Sequence, residues 1–523
     1  KLEYSTNGFT DELQTVLIIA SVPNTNTYGW TIPDAISSTV KARLTNVADS
    51  AVSDLSNANF TIKGSVILTA PNGSETWIVG NANNITWTRT GSFANVKLEY
   101  STNGFTNELQ TTVIIASTSA SSLTYAWTIP DAIGTTLKAR ITDAANATVT
   151  DVSNANFSIT GSLTLTAPNG AEVWKVGESR NITWTKTGTI ANVKLEYSTD
   201  GGTTYPNLII ASTDATTGTY AWTIPDAIGA TLRVKLSNVA DSAVSDVSNA
   251  NFEIKGALTI ISPNNGEVWL VGSSQSISWS KSGTIANAKL EYSTDGGVLY
   301  PNLIIASTPA AAGSYSWIIP DAISNTVRVK ITNLVDTTVN DASDANFKVA
   351  GSLNLTAPNG GEAWIVSSSQ NIAWTKSGTI ANVKLEYSTD GGTTYPNLIA
   401  ASVDAALGTP YLWTIPDLPS TTVRVKVTNT ADATVYDISN ANFSIKGSFT
   451  LTSPNGAETW IVGESRNITW TKTGSIASAK LDYSTNGGTT YPNVIVASTS
   501  AAGLSYAWTV PDAIGSKVKI RVS

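Results

Sequence analysis

Between residues 161 and 255 apolar side chains fall at alternate positions in short runs: Leu163 and Leu165, Trp174 and Val176, Ile182 and Trp184, then Val193, Leu195 and Tyr197. The series continues with Leu208 and Ile210, with Tyr220, Trp222 and Ile224, with Leu232, Val234 and Leu236, and with Phe252 and Ile254. A period of two places alternate side chains on opposite faces of an extended chain, so the pattern predicts seven or eight strands, each with one buried face. Turn formers separate them: Pro168-Asn169-Gly170, Val176-Gly177, Asp200-Gly201-Gly202, Thr217-Gly218, Pro225-Asp226 and Asn238 to Asp241. Short strands with turns every ~8–12 residues read as a β-sandwich. The one place for helix is a single turn after Pro225, where Asp226 is placed to cap the amides of Ala227-Ile228-Gly229.

The same pattern recurs along the whole chain. Lys1-Leu-Glu-Tyr-Ser-Thr returns at Lys97, Lys194, Lys289 and Lys384, and as Lys-Leu-Asp-Tyr at Lys480, a period of 95 to 97 residues. Phe60, Phe157, Phe252, Phe347 and Phe443 keep that spacing, as do Pro71, Pro168, Pro263, Pro358 and Pro454. A period this long exceeds helical repeats and propeller blades and matches one small β-domain. The expected fold class is therefore all-β: tandem Ig-like or fibronectin-like sandwiches. The expected modules are a partial one at 1–63, complete ones at 64–160, 161–255, 256–350 and 351–446, and a partial one at 447–523. Each carries up to three tryptophans, for example Trp174, Trp184 and Trp222, in phase with aliphatic neighbours and expected to point inward.

No Pro-rich or Gly/Ser-rich linker separates the modules; Phe252-Glu-Ile-Lys-Gly256 runs directly into Ala257-Leu258-Thr259. Short joints of this kind are expected to be stiff, with the modules stacked end to end as a rod. Residue 1 falls inside a module without its first two strands and Ser523 inside one without its last, so the sequence is expected to be a stretch of a longer array.

Composition narrows the chemistry. The 523 residues contain no Cys, His or Met, which excludes disulfides, thiolate and imidazole metal ligands, and triads built on His or Cys. Charged residues make up only 13%, and the net charge is -8, so there is no basic footprint for nucleic acid and no polybasic membrane patch. No apolar run long enough to span a membrane appears.

The motif Pro263-Asn-Asn-Gly-Glu-Val-Trp-Leu-Val-Gly272 with Ile277-Ser-Trp279, followed by Lys289-Leu-Glu-Tyr-Ser-Thr-Asp-Gly-Gly297, resembles the Ser-Thr-rich GPI-anchored-type module related to yeast cell-wall β-glucan assembly proteins. The counterpart at Pro358-Asn-Gly-Gly-Glu-Ala-Trp-Ile-Val departs from it with Ser367 in place of a turn glycine. The resemblance implies a fibronectin- or Ig-like sandwich in an extracellular, surface-attached accessory or structural role, and supplies no catalytic residues.

Candidate chemistry is sparse. Glu172, Glu196, Asp226 and Asp246 recur in every complete module, whereas an active site is needed once; the chain is read as no enzyme, without catalytic, cofactor or metal residues. Ser198-Thr-Asp-Gly-Gly-Thr-Thr-Tyr205 has the form of an Asp-box hairpin, read as a loop stabiliser. No cofactor is expected; a calcium site around Asp241 and Asp246 is the minor alternative. Lys194 alternates with core residues and should face outward, away from any isopeptide partner, and Asn84, Asn156, Asn181 and Asn467 are glycosylation sequons. The function expected is a structural stalk, fibre or sheath spacer at the cell surface, associating with itself or with neighbouring copies. The alternatives are an adhesin or glycan-binding array using Tyr205 and Tyr300 on the hairpin loops, or accessory repeats for an enzyme encoded elsewhere.

Overall fold

The computed structural model describes residues 1–405 and 410–523. The chain divides into two compact units, Lys1–Gly256 and Ala257–Ser523. Each holds two complete sandwiches and one partial one. The module at 161–255 shows the plan.

Nine strands form it: β1 (Ser162–Ala167), β2 (Val173–Lys175), β3 (Ser179–Thr187), β4 (Asn192–Ser198), β5 (Asn207–Asp214), β6 (Thr219–Thr223), β7 (Gly229–Asn238), β8 (Ser245–Val247) and β9 (Phe252–Lys255). Periodicity anticipated seven or eight. The extra one arises because β8 is three residues long, too short to show a period. One sheet has the order β1-β3-β6; the other runs β2-β9-β7-β4-β5, with β8 added beside β7. Most neighbours are antiparallel, but β2 lies parallel to β9, with Trp174 opposite Ile254. The fold is a tandem all-β sandwich array.

Alternate side chains from the two sheets meet in one core per module. Leu163, Leu165, Trp174, Ile182, Trp184, Leu195, Trp222, Val234 and Phe252 are buried together. Among the described residues the buried apolar side chains form six separate clusters, one centred on each module stretch, with Ala350 at the end of 256–350 packed into the cluster of the next stretch. Trp174 and Trp222 meet edge to face at 6.0 Å, and Tyr197 and Phe252 complete the aromatic group. Trp184 stands apart and donates its indole Nε1–H to the carbonyl of Ala215 at 3.0 Å. That carbonyl belongs to the 3-10 turn Ala215–Thr217, so the ring both fills the core and ties down the β5–β6 connection.

The Pro-Asn-Gly turn is pinned from three sides. Glu172 accepts the amides of Asn169 and Gly170 at 2.8 Å each. Asn169 Oδ1 accepts the amide of Asn249 at 2.7 Å. The fully buried Ser248 hydroxyl donates to the Pro168 carbonyl at 2.8 Å and accepts from Val234 N at 2.9 Å. The turn between two strands of different sheets thus has the amides of Asn169 and Gly170 and the carbonyl of Pro168 paired, as groups withdrawn from water require.

The single turn after Pro225 is closed by its main chain, with Ala227 N donating to the Pro225 carbonyl at 2.8 Å. At the matching Asp131, Asp321 and Asp417 the carboxylate does not cap this turn; it reaches the following module instead. The partial module at 1–63 contains no counterparts of β1, β2 or β3, one strand more than the spacing suggested, and the one at 447–523 ends on the counterpart of β7, Lys519–Val522.

Candidate functional site: the joint between modules

The recurring carboxylates singled out above are not brought together. Glu172 serves its own turn, and Glu196 pairs with Lys194 at 2.5 Å on the outward face of the larger sheet. Asp246 Oδ2 accepts the amide of Leu165 at 2.7 Å, linking β8 to β1 across the sandwich. Asp241 accepts the amide of Ala243 at 3.1 Å within its own loop. Among the described residues no three acidic side chains are grouped to hold a metal ion.

The Asp-box hairpin is as the sequence suggests. Asp200 accepts from the hydroxyl of Ser198 at 2.6 Å, and from the amide and hydroxyl of Thr204 at 3.0 and 2.6 Å. These donors, the Ser198 hydroxyl first, hold its carboxyl well below the ordinary carboxylate range. Tyr205 folds back rather than projecting: Lys235 Nζ lies 5.8 Å from its ring centre, and burial pushes its phenol up. Tyr300 is placed in the same way beneath Lys330. Both rings are half-buried. The sequon residues Asn84, Asn156, Asn181 and Asn467 are all exposed.

What recurs with full geometry is a contact between consecutive modules. In the first unit Asp131 lies just past the counterpart of β6 in the module 64–160. Its two carboxylate oxygens accept from the amide and hydroxyl of Thr189, at 3.0 and 2.5 Å, in the module 161–255. Asp34 holds the amide of Ser92 at 2.8 Å and also its hydroxyl. In the second unit Asp321 takes Thr379 N at 2.9 Å together with its hydroxyl, and Asp417 takes Ser475 N at 2.7 Å and its hydroxyl at 2.6 Å. The separation is 58 residues in every case.

An apolar seat surrounds each clamp. Gly188 precedes Thr189 with φ +75°, and a Cβ there would stand 3.1 Å from both Ile133 and Val79 of the preceding module. Gly378 meets Ile323 and Val271 at the same distance. Glycine is needed twice over, for the left-handed backbone and for the close approach. A Cβ at Gly161, where the following module begins, would lie 2.6 Å from the Thr187 carbonyl and 2.9 Å from Ile190, so that module closes directly over the linking backbone. The joint between 256–350 and 351–446 adds an ion pair, Lys348 with Asp432, and Lys348 also donates to the Thr434 hydroxyl at 2.8 Å.

The hydroxyl of Thr189, and then its amide, hold the Asp131 carboxyl below its ordinary value; Asp34, Asp321 and Asp417 are lowered by their own Ser or Thr partners in the same order. A carboxylate depressed in the assembled state contributes stabilisation that is complete above its free value of ~4 and is lost as acid protonates it below that. Titrating the chain from neutral pH downward is therefore expected to move the Thr189 and Thr379 amide resonances only below the ordinary carboxylate range, while core resonances such as Val193 stay in place; amide shifts that change between pH 7 and 5 contradict the clamp.

Sequence reading missed this site because Asp131 and Thr189 are far apart in the chain and each looks like an ordinary turn residue. The only signal was the constant interval between Pro-Asp and the Gly-Ser/Thr pair.

Fold and joint together define a tandem array of Ig-like β-sandwich modules with clamped connections. No family model matches the sequence, and no curated protein matches it. Among solved structures the chain is similar to Sidekick-1 immunoglobulin domains 1–4, with 10% identity and a TM-score of 0.21 over 73% of this chain and 99% of that one. It is also similar to the N-terminal eight Ig domains of Down Syndrome Cell Adhesion Molecule, with 10% identity and a TM-score of 0.20 over 93% of this chain and 73% of that one. A third is the fibronectin(III)-like modules of Clostridium thermocellum CbhA, with 22% identity and a TM-score of 0.15 over 36% of this chain and 94% of that one. Likeness this remote transfers no property. No helix among the described residues is long and apolar enough to cross a membrane.

Proposed function

We propose that the chain is the structural repeat region of an extracellular surface protein or filament, a spacer in which modules repeating every 95 to 97 residues fold autonomously and, within each compact unit, are held in fixed orientation by their joints. The observation that carries this reading is the recurrence of one clamp, Asp to a Ser or Thr amide and hydroxyl, at both joints of each unit. Modules that merely had to be tethered would need only a flexible linker, whereas a bidentate contact set in an apolar seat removes rotational freedom. The module boundaries given above, the surface location and the tie to the Ser-Thr-rich module family belong to the same reading, the last two supported by the Pro263–Gly272 and Lys289–Gly297 motifs. The carboxylates that recur serve turns, strand crossings and an ion pair, which supports a non-catalytic role.

Replacing Asp34, Asp131, Asp321 and Asp417 together by Ala tests it. Small-angle scattering of the unmodified chain is expected to fit a narrow set of conformers, and the variant a broader, more compact one, with module melting unchanged. An unmodified chain that already scatters as freely jointed modules overturns the reading.

A further inference from the structure

The two sheets of each module differ in outward chemistry. The larger sheet shows Lys194, Glu196, Arg233 and Lys235 to solvent in the module 161–255. On the outward face of the β1-β3-β6 sheet no charged residue stands: Thr164 and Thr166 from β1, Asn181, Thr183 and Thr185 from β3, and Thr219, Ala221 and Thr223 from β6, while the two cations of β3, Arg180 and Lys186, lie at its ends in phase with the buried side chains. The module 256–350 repeats this with Thr259, Ser276, Ser278, Ser280, Ser314 and Ser316. Large apolar side chains stand on the same face elsewhere in the array: Ile67 is 57% exposed, Ile261 55%, Ile318 71% and Leu412 63%.

We propose that this uncharged face is where two copies of the chain pack laterally, sheet against sheet. The net charge of -8 opposes association of like molecules by any charged surface, and this face alone presents none. Short hydroxyl side chains lose little rotamer freedom, and the exposed Ile and Leu gain from burial. Pairing along the β5 edge of the larger sheet is disfavoured, because β5 carries two register shifts against β4, between Val193 and Leu195 and between Leu195 and Glu196, and a bulged edge does not template another strand. Area sets the valency. Three strands about 4.8 Å apart and up to nine residues long give roughly 400 Å² per module, about half of what one partner contributes to a standard stable interface. Several faces must therefore engage at once, as copies with the same repeat period allow. The inference extends the spacer reading and can fail without it.

Sedimentation of the full chain tests it. The unmodified protein is expected to exceed its 54.7 kDa monomer mass in a concentration-dependent way. The combined variant Thr88→Lys, Thr185→Lys, Ser280→Lys and Thr375→Lys, charged on the middle strand of the neutral face in four modules, is expected to sediment as monomer with an unchanged circular dichroism spectrum. The control Ser117→Lys, Ser212→Lys, Ser307→Lys and Ser402→Lys, charged on the edge strand of the larger sheet, should associate as the unmodified chain does. A monomeric unmodified chain at about 100 µM, where contacts far weaker than standard interfaces are populated, overturns the proposal. So does association that survives the face variant, or that only the edge control abolishes. A monomeric chain with restricted joints leaves the spacer reading intact.

Discussion

Replacing Trp184 by Ala is expected to destabilise its module by about 3–5 kcal/mol, the usual cost of removing a buried indole from a core that relaxes only partly. Trp184 is buried against Leu165 and Ile182 in a core of its own module, and its Nε1–H satisfies the carbonyl of Ala215, itself buried. Truncation therefore opens a cavity and strands an acceptor in one step. Trp184→Phe separates the two losses: it keeps most of the ring and forfeits the hydrogen bond, and should cost about 1–3 kcal/mol. Because each module has its own core, hydrogen exchange is the measurement to use. Protection is expected to fall across residues 163–254 and to persist across 353–405. Equal loss in both segments would mean that the cores are not independent, and no loss in either would mean that the ring is not structural.

Gly170→Ala is expected to cost about 2–4 kcal/mol, from backbone strain and overpacking combined. Gly170 has φ +133°, a conformation reserved for glycine, and a Cβ there would sit 2.6 Å from the Cβ of Ala250. The turn cannot swing away, because Glu172, Asn169 and Ser248 bind it on three sides. Gly73 and Gly360 meet Ala155 and Ala441 at 2.7 and 2.5 Å, so the same substitution should cost as much in those modules. Gly177 serves as the comparison, since its φ is +85° but its Cβ would meet nothing within 4 Å; there Ala should cost only the strain, about 1–2 kcal/mol. Chemical denaturation that ranks Gly177→Ala at or above Gly170→Ala would show that the close approach to Ala250 is not what constrains the turn.

Which residues face inward was legible from alternation alone. Val193, Leu195 and Trp184 are buried and Lys194 is outside, as the period of two requires. The hairpin at Asp200 was legible too, because its bonds join residues at most four apart. Tyr205 and Tyr300 were not: their placement beneath Lys235 and Lys330 depends on a neighbouring strand distant in sequence.

The two partial modules show where local pattern stops. Tyr28-Gly-Trp30-Thr-Ile32 has the alternation of Tyr220-Ala-Trp222-Thr-Ile224, yet only the second contains a strand, β6, paired along β3. Residues 1–63 contain no counterpart of β3, and the first segment stays irregular. Trp460 likewise sits outside any strand, while Trp174 and Trp364 lie in strands parallel to a later one. An extended segment becomes a strand only when its amides and carbonyls find a ladder, and that partner comes from elsewhere in the chain.

The sequence by itself determined the repeat, the all-β module, the buried face of each strand and the absence of thiol and imidazole chemistry, since all of these follow from residue type and period. Only the tertiary structure decided which strands pair, that Asp131 binds Thr189 across a joint rather than capping its own turn, and that the outward face of the β1-β3-β6 sheet is free of charge. Those are facts about distance in space, and residues 58 positions apart carry no local energetic preference that would announce them.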